Sequence, residues 1–231
     1  MSPDAQLGEV RAVLTGRATE FARGRRSGIA KAPRDGRVAV DATGLDGDEQ
    51  GDTRFHGGRD KAVHAYAFEH YPDWIRELGA LPVLGAAGAF GENLSTTGIT
   101  EAGLCLADRL RIGTAVFEVS QARQPCWKLN ERFGVPDMAR RVQDTGRAGW
   151  YLRVLEPGTV GAGDGILLLG RPHPSWSLQR LMDLLYGAPP GPAMLREAIA
   201  LPLVPSWRSL LERRLATGRI EDWSSRLQGP A

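Results

Sequence analysis

Cysteine is scarce in this chain of 231 residues: only Cys105 and Cys126 are present. They could pair in principle, but nothing in their spacing supports it, and a cytoplasmic chain would keep both reduced. No CxxC and no HExxH occurs, which removes the usual local frameworks for zinc and argues against His56 and His64 as zinc ligands. Lysine is equally rare, at Lys31, Lys61 and Lys128 alone among 29 basic residues. No apolar run approaches the roughly 20 residues of a membrane helix, so no membrane association is expected. Residues 1–13 lack an apolar segment after a basic start, so no secretory leader and a cytoplasmic location are expected. The net charge is only +2, with no broad basic field for a nucleic acid polymer.

What is present reads as a turn-rich β protein. Hydrophobic residues make up 42% and charged residues 24%, with 29 glycines and 15 prolines. Alternation predicts strands over 8–16, 62–67, 114–119 and 149–155, with a short strand at 28–31. Asp35-Gly36 reads as a hairpin turn returning through 37–42, and residues 160–169 read as a final hairpin through Gly163-Asp164-Gly165. Amphipathic helices are predicted over 68–78, with Trp74 and Ile75 facing the core, over 127–133, and over 135–144. His70, on the first of these, has no partner at ligand spacing and reads as structural or exposed. Beyond a linker at 171–174, three helical runs separated by prolines (178–185, 193–200 and 206–216) form a small appendage. Trp207, Leu210, Leu211 and Leu215 give it an apolar docking face. The division is residues 1–171, with a core near 27–169, and 172–231.

Chemistry concentrates around Cys126. A strand leads into Ser120-Gln121-Ala122-Arg123-Gln124-Pro125-Cys126-Trp127-Lys128-Leu129-Asn130 and a helix leads out. A thiol at a helix start, flanked by Arg123 and Lys128, is expected to ionise more readily than free cysteine. It reads either as nucleophile or soft-metal ligand, or as a small core residue. A second stretch joins an acidic half, Gly47-Asp48-Glu49, to His56-Gly57-Gly58. Consecutive glycines can turn backbone N–H groups onto an anion, and Lys61 follows as a point charge suited to phosphate. His64 and Tyr66 come next on one strand face. Glu92-Asn93, between Gly91 and Leu94, reads either as polar side chains aimed at a site or as a turn. Arg25 and Arg26 read as a solvated loop or an anion site, with Lys31 as a further candidate.

These motifs resemble the MOSC domain found at the C-terminus of molybdenum cofactor sulfurases. Gly47-Asp48-Glu49 with His56-Gly57-Gly58, Lys61 and His64-x-Tyr66 match a first signature. Gly91-Glu92-Asn93-Leu94 and Arg123-x-Pro125-Cys126 with Lys128-Leu129-Asn130 match a second and a third. The tail, from Arg213-Arg214-Leu215 through Gly218-Arg219-Ile220-Glu221-Asp222 to Arg226-Leu227, is similar to the three-helix domain of the YiiM-like branch. That branch is linked to resistance against 6-hydroxylaminopurine. The resemblance implies a mainly β fold, a MOSC-type β-barrel with flanking helices and a small C-terminal three-helix domain. It implies binding of the molybdenum cofactor, with Cys126 as thiolate ligand of the metal. It implies a detoxifying oxidoreductase that reduces N-hydroxylated bases to amines, with electrons from a separate flavin or iron–sulfur reductase.

The candidate cofactor-binding residues are Lys31, His56, Gly57, Gly58, Lys61, His64, Asn93, Arg123 and Lys128, with Arg25 and Arg26 as further possibilities for the phosphate. His56 or His64 is the expected proton source, and Cys105 is read as core. Two other functions stay open: a non-catalytic carrier of the cofactor, and a metal-free enzyme with a Cys126–His64 or Cys126–His56 dyad. Oligomeric state, monomer or homodimer, is left open.

Overall fold

The computed structural model describes residues 5–52 and 57–229. Six strands come first: β1 (Ala5–Thr15), β2 (Thr19–Ala22), β3 (Arg25–Ser27), β4 (Ala32–Pro33), β5 (Val38–Asp41) and β6 (Gly44–Leu45). Then follow β7 (Val63–Ala67), β8 (Leu94–Thr97), β9 (Arg109–Ile112), β10 (Ala115–Ala122), β11 (Trp150–Glu156), β12 (Gly158–Val160) and β13 (Gly165–Gly170). Seven of them close into a barrel in the order β1-β8-β7-β11-β10-β9-β13, with β13 pairing back to β1. Every pairing around the barrel is antiparallel except β7 with β8. Closure leaves no exposed sheet edge in those seven strands. The long β1 serves three partners, and its register shifts at Gln6/Gly8 and Val10/Ala12 let it bend between them.

The pattern that builds the barrel is the alternation of apolar residues. Val10, Val63, Leu94, Leu110, Phe117, Leu152 and Ile166, one from each barrel strand, are all buried. Strand β7 is buried throughout because helix α1 (His70–Leu78) covers its outer side. Trp74 Nε1 on that helix donates to Tyr66 Oη at 2.7 Å, and Tyr66 Oη donates to the Arg147 carbonyl. Ile75, expected to face the core, is 40% exposed, since α1 presents Tyr71 and Trp74 inward instead. His70 is held structurally, with Nε2 at 2.7 Å from the buried Glu101.

Two predicted hairpins do not form. Residues 28–31 make no strand, and β5 pairs with β12 and β6 in a small separate sheet. Likewise β12 does not pair with β13: β12 lies on β5, while β13 fills the barrel between β9 and β1. Gly36 and Gly163 both take the left-handed φ of a turn residue, 71° and 87°, but the strand after each pairs elsewhere in the fold. The turn before β13 is fixed by Asp164, which accepts from Arg37 and from the Gly161 amide.

Helices α2 (Lys128–Phe133) and α3 (Met138–Thr145) follow β10, each closed by a left-handed glycine, Gly134 and Gly146. After β13 come α4 (Leu178–Tyr186), α5 (Pro192–Ile199) and α6 (Pro205–Thr217). A short α7 (Ser224–Gln228), unforeseen in the helical periodicity, ends the described chain. The core is continuous from the barrel through Trp176, Leu178, Leu181 and Leu185 to Trp207 and Leu211. The expected linker is anchored rather than loose. Arg171 donates from Nη2 and Nε to the fully buried Asp108, at 2.6 and 2.9 Å. Asp108 also accepts the Cys105 amide. Arg171→Ala would strand that carboxylate in the interior, with an expected loss of about 3 kcal/mol. Urea unfolding should show it as a lowered midpoint, and an unchanged midpoint would refute this anchoring.

Candidate functional site

An open cleft of about 580 Å³ lies where β10 gives way to α2. Arg123, Cys126 and Lys128 reach it from the turn between those elements. Lys61 comes from the turn before β7 and His64 from β7 itself, and Gly91 and Asn93 from the approach to β8. Lys31 and Asp48 form another wall, with Glu49, Gln50 and Gly51 beside them. Two of the wall segments touch so closely that glycine is required: a Cβ on Gly28 would sit 2.0 Å from the Glu49 carbonyl oxygen, and one on Gly51 2.4 Å from the Arg26 backbone.

Positive charge dominates the lining, and its partners differ. Lys31 forms a buried ion pair with Asp48, which also accepts the Gly16 amide at 2.9 Å. Burial pulls the Lys31 pKa down, and the Asp48 charge works against that. Lys128, also buried, donates to the Arg26 carbonyl at 3.0 Å. Burial lowers the Lys61 pKa, opposed by Cys126 and Asp60. Arg123 is 6% exposed, and its Nη1 is enclosed with no hydrogen-bond partner among the described residues. A buried donor on a charged group left in that state is costly unless something else satisfies it.

The structure brings Lys31, Lys61, His64, Asn93, Arg123, Cys126 and Lys128 to this one cleft, while Gly57 and Gly58 do not line it. Gly58 instead opens the 3-10 turn Arg59–Lys61, with φ of 90° and its carbonyl accepting the Lys61 amide at 2.9 Å. His56 lies outside the described residues. Asn93 spends its amide on the scaffold: Oδ1 accepts the His64 N–H and Nδ2 donates to the Leu14 carbonyl. Glu92 points elsewhere, gathering Tyr71 Oη and the amides of Gly88 and Phe90. Arg25 is exposed, and Arg26 donates to the Ala18 carbonyl.

His64 is unsuited to deliver a proton as imidazolium. It is buried, and desolvation followed by the nearby Arg123 charge pushes its pKa well below the usual value. Its Nε2 has no hydrogen-bond partner among the described residues, so no Cys126–His64 dyad forms through that nitrogen. Neither cysteine forms a disulfide, and Cys105 is buried near the Pro174 carbonyl. Among the described residues no group of three or more His, Cys, Asp or Glu side chains could hold a metal by itself. Tyr151 is a cleft residue that sequence reading missed. It sits opposite His64 in the β11–β7 register, with ring centroids 5.2 Å apart, and Lys61 lies over its ring. Burial raises its phenol pKa.

The MOSC domain family matches residues 52–167, and the YiiM-like 3-alpha helix domain matches residues 176–218. Protein YiiM of Escherichia coli (strain K12) is 38% identical over 218 residues, which cover 94% of this chain and 97% of that one. The crystal structure of YiiM from Escherichia coli superposes with a TM-score of 0.81 at 33% identity, covering 96% of this chain and 99% of that one. A protein of Gibberella moniliformis named "Reductase" is 39% identical over 93% of this chain, but the match covers only 38% of that longer protein. No helix among the described residues is long and apolar enough to cross a membrane.

The depressed His64 pKa has a thermodynamic consequence. Between the unfolded value near 6.5 and the lower folded value, the unfolded chain binds the extra proton, so stability falls as pH falls through that window. The limiting slope for one group is about 1.4 kcal/mol per pH unit. Denaturation of wild type from pH 7 to pH 5 should show this decline, and His64→Gln should flatten it. A slope equal in both proteins would refute a buried neutral His64.

Proposed function

The chain belongs to the MOSC family, in the branch that carries a YiiM-like three-helix domain, and we propose that it is an oxidoreductase that binds the molybdenum cofactor in the cleft around Cys126. The observation that carries this reading is the buried Arg123, which lines the same cleft as Cys126, Lys61 and Lys128 and whose Nη1 has no hydrogen-bond partner among the described residues. Such a lining fits an anionic, phosphate-bearing pterin, because charge-assisted donors in a low-dielectric wall favour phosphate oxygens. Cys126 contributes the sulfur in that lining, and a thiolate is the protein ligand that a soft metal centre takes. With one thiolate from the chain, the remaining ligands would come with the cofactor.

Arg123 would hold the anionic part of the cofactor, with Lys61 and Lys128 beside it. Lys31 acts through its pair with Asp48, which fixes the wall. His64, kept neutral, would serve as a hydrogen-bonding group toward the pterin rather than as an acid. When bound, the molybdenum centre supplies the two-electron chemistry that side chains lack. The reaction proposed is R–NHOH + 2 e⁻ + 2 H⁺ → R–NH₂ + H₂O, on N-hydroxylated bases of the hydroxylaminopurine type. The electrons would come from a separate flavin or iron–sulfur reductase. The relative named as a reductase supports the redox assignment, within a protein much longer than this chain.

Protein purified from a cofactor-competent host should carry close to one molybdenum and one pterin per chain. It should turn over a hydroxylaminopurine with an artificial electron donor, and Cys126→Ser should abolish that turnover. Wild-type activity in Cys126→Ser would remove the ligand role. Bound cofactor without any turnover would favour a carrier.

A further inference from the structure

The tail of the chain packs onto the cysteine turn. Arg226, in α7, contacts both peptide groups that flank Cys126. Its main-chain carbonyl accepts the Trp127 N–H at 2.8 Å, and its guanidinium Nη1 donates to the Pro125 carbonyl. The Pro125 carbonyl belongs to the peptide entering Cys126, and the Trp127 N–H to the peptide leaving it. With both peptide planes held, the direction of the Cys126 Cα–Cβ bond is set from outside the barrel.

The guanidinium is itself firmly placed. Nη2 donates to Gln143 Oε1 on α3 at 2.6 Å. The group lies over the rings of Trp223 and Tyr186, 4.7 and 5.5 Å from their centroids. Tyr186 Oη in turn accepts from Gln124 Nε2 in the cysteine turn. Neighbouring tail residues close on the same place: the Leu227 carbonyl accepts from Asn130 Nδ2, and the Gln228 carbonyl accepts from Arg23 Nη1. Gly229 lies so close that a Cβ there would meet Trp127 Cγ at 2.8 Å. Four consecutive tail residues thus bear on the turn and on the segments packed against it.

We infer that Arg226 is a positioning residue that clamps the two peptide groups of Cys126 and so aims its sulfur into the cleft. The clamp makes the C-terminal helices part of the site without placing a tail side chain on the substrate. This inference rests on the proposed function only for its activity readout. A misaimed ligand by an ångström is enough to cost a reaction about 100-fold.

The test compares Arg226→Ala and Arg226→Lys with Arg180→Ala. Arg180 lies in the same helical region but bonds to Ser175 and Glu197, away from the turn. On cofactor-free protein, amide exchange over residues 124–129 should quicken at least about 10-fold in Arg226→Ala, less in Arg226→Lys and not at all in Arg180→Ala. On cofactor-loaded protein, kcat per bound molybdenum should fall at least about 10-fold in Arg226→Ala with KM within about 2-fold, and Arg226→Lys should recover part of it. If Arg226→Ala does not fold, Gln143→Ala, which removes the guanidinium's other anchor, takes its place in both arms. Unchanged exchange across the turn, equal effects from Arg180→Ala, or a kcat loss that merely follows molybdenum content would overturn the clamp. Wild-type protein with no molybdenum and no turnover would instead overturn the function proposed above, and the exchange arm would still decide the clamp.

Discussion

A guanidinium buried with no counter-charge among the described residues is the constraint around which the rest of the site is arranged. Arg123 leaves β10 at the point where the strand must break before Pro125, and its own amide is fixed to the Gly149 carbonyl at 2.9 Å. The carboxylates that might have neutralised it are engaged elsewhere: Asp48 with Lys31, Asp60 with Arg153, and Glu92 with Tyr71 and two backbone amides. Removing a charge from water without pairing it is expensive, and proteins keep such groups where a ligand completes them. Burial first, and the same charge second, disfavour protonation of His64. The buried cation thus leaves the cleft positively charged, and burial together with that charge makes His64 unsuited as an imidazolium acid.

Much of this was legible in the sequence, and the reason is local. Arg123, Cys126 and Lys128 lie within a single turn, and the turn is announced by a strand, a proline and a helix start in succession. Lys61 and His64 are likewise bound to one stretch, and the barrel strands declare themselves through alternation at Val10, Phe117 and Leu152. The illegible part is pairing. That Lys31 would find Asp48, that Asn93 would be used to join β1 to β7, and that Glu92 would serve the loop at 88–90 all depend on barrel closure. Tyr151 follows from register alone, since only the β11–β7 alignment sets it beside His64. Strands β5 and β13 misled for the same reason: a glycine turn reports that the chain reverses, not whether its two arms will pair.

Arg226 was out of reach for a further reason. The tail resemblance runs through Arg226-Leu227, but in a chain with 29 basic residues, most of them arginine, nothing in it says what that arginine contacts. It acts on a carbonyl 101 positions earlier. No periodicity in the tail encodes that contact, because α7 is only five residues long and its helical pattern is too short to read.

The division of labour between barrel and tail follows from what holds each. The barrel side of the site is fixed by closed strand pairing and by large buried rings such as Trp150, Phe90 and Tyr66, whose displacement would cost several kcal/mol. The rim is held differently. Trp127 is enclosed by three segments remote in sequence, its own turn, the β2–β3 hairpin through Arg23 and the tail through Gly229. They are joined mainly by single hydrogen bonds, each worth about 1 kcal/mol net. A rim of that kind opens more readily than the barrel does. Cys126, on the rim side of Arg123, therefore has the more adjustable support and the guanidinium the rigid one. In the proposed clamp, the two bonds from Arg226 are the rim contacts that limit the sulfur to a single direction.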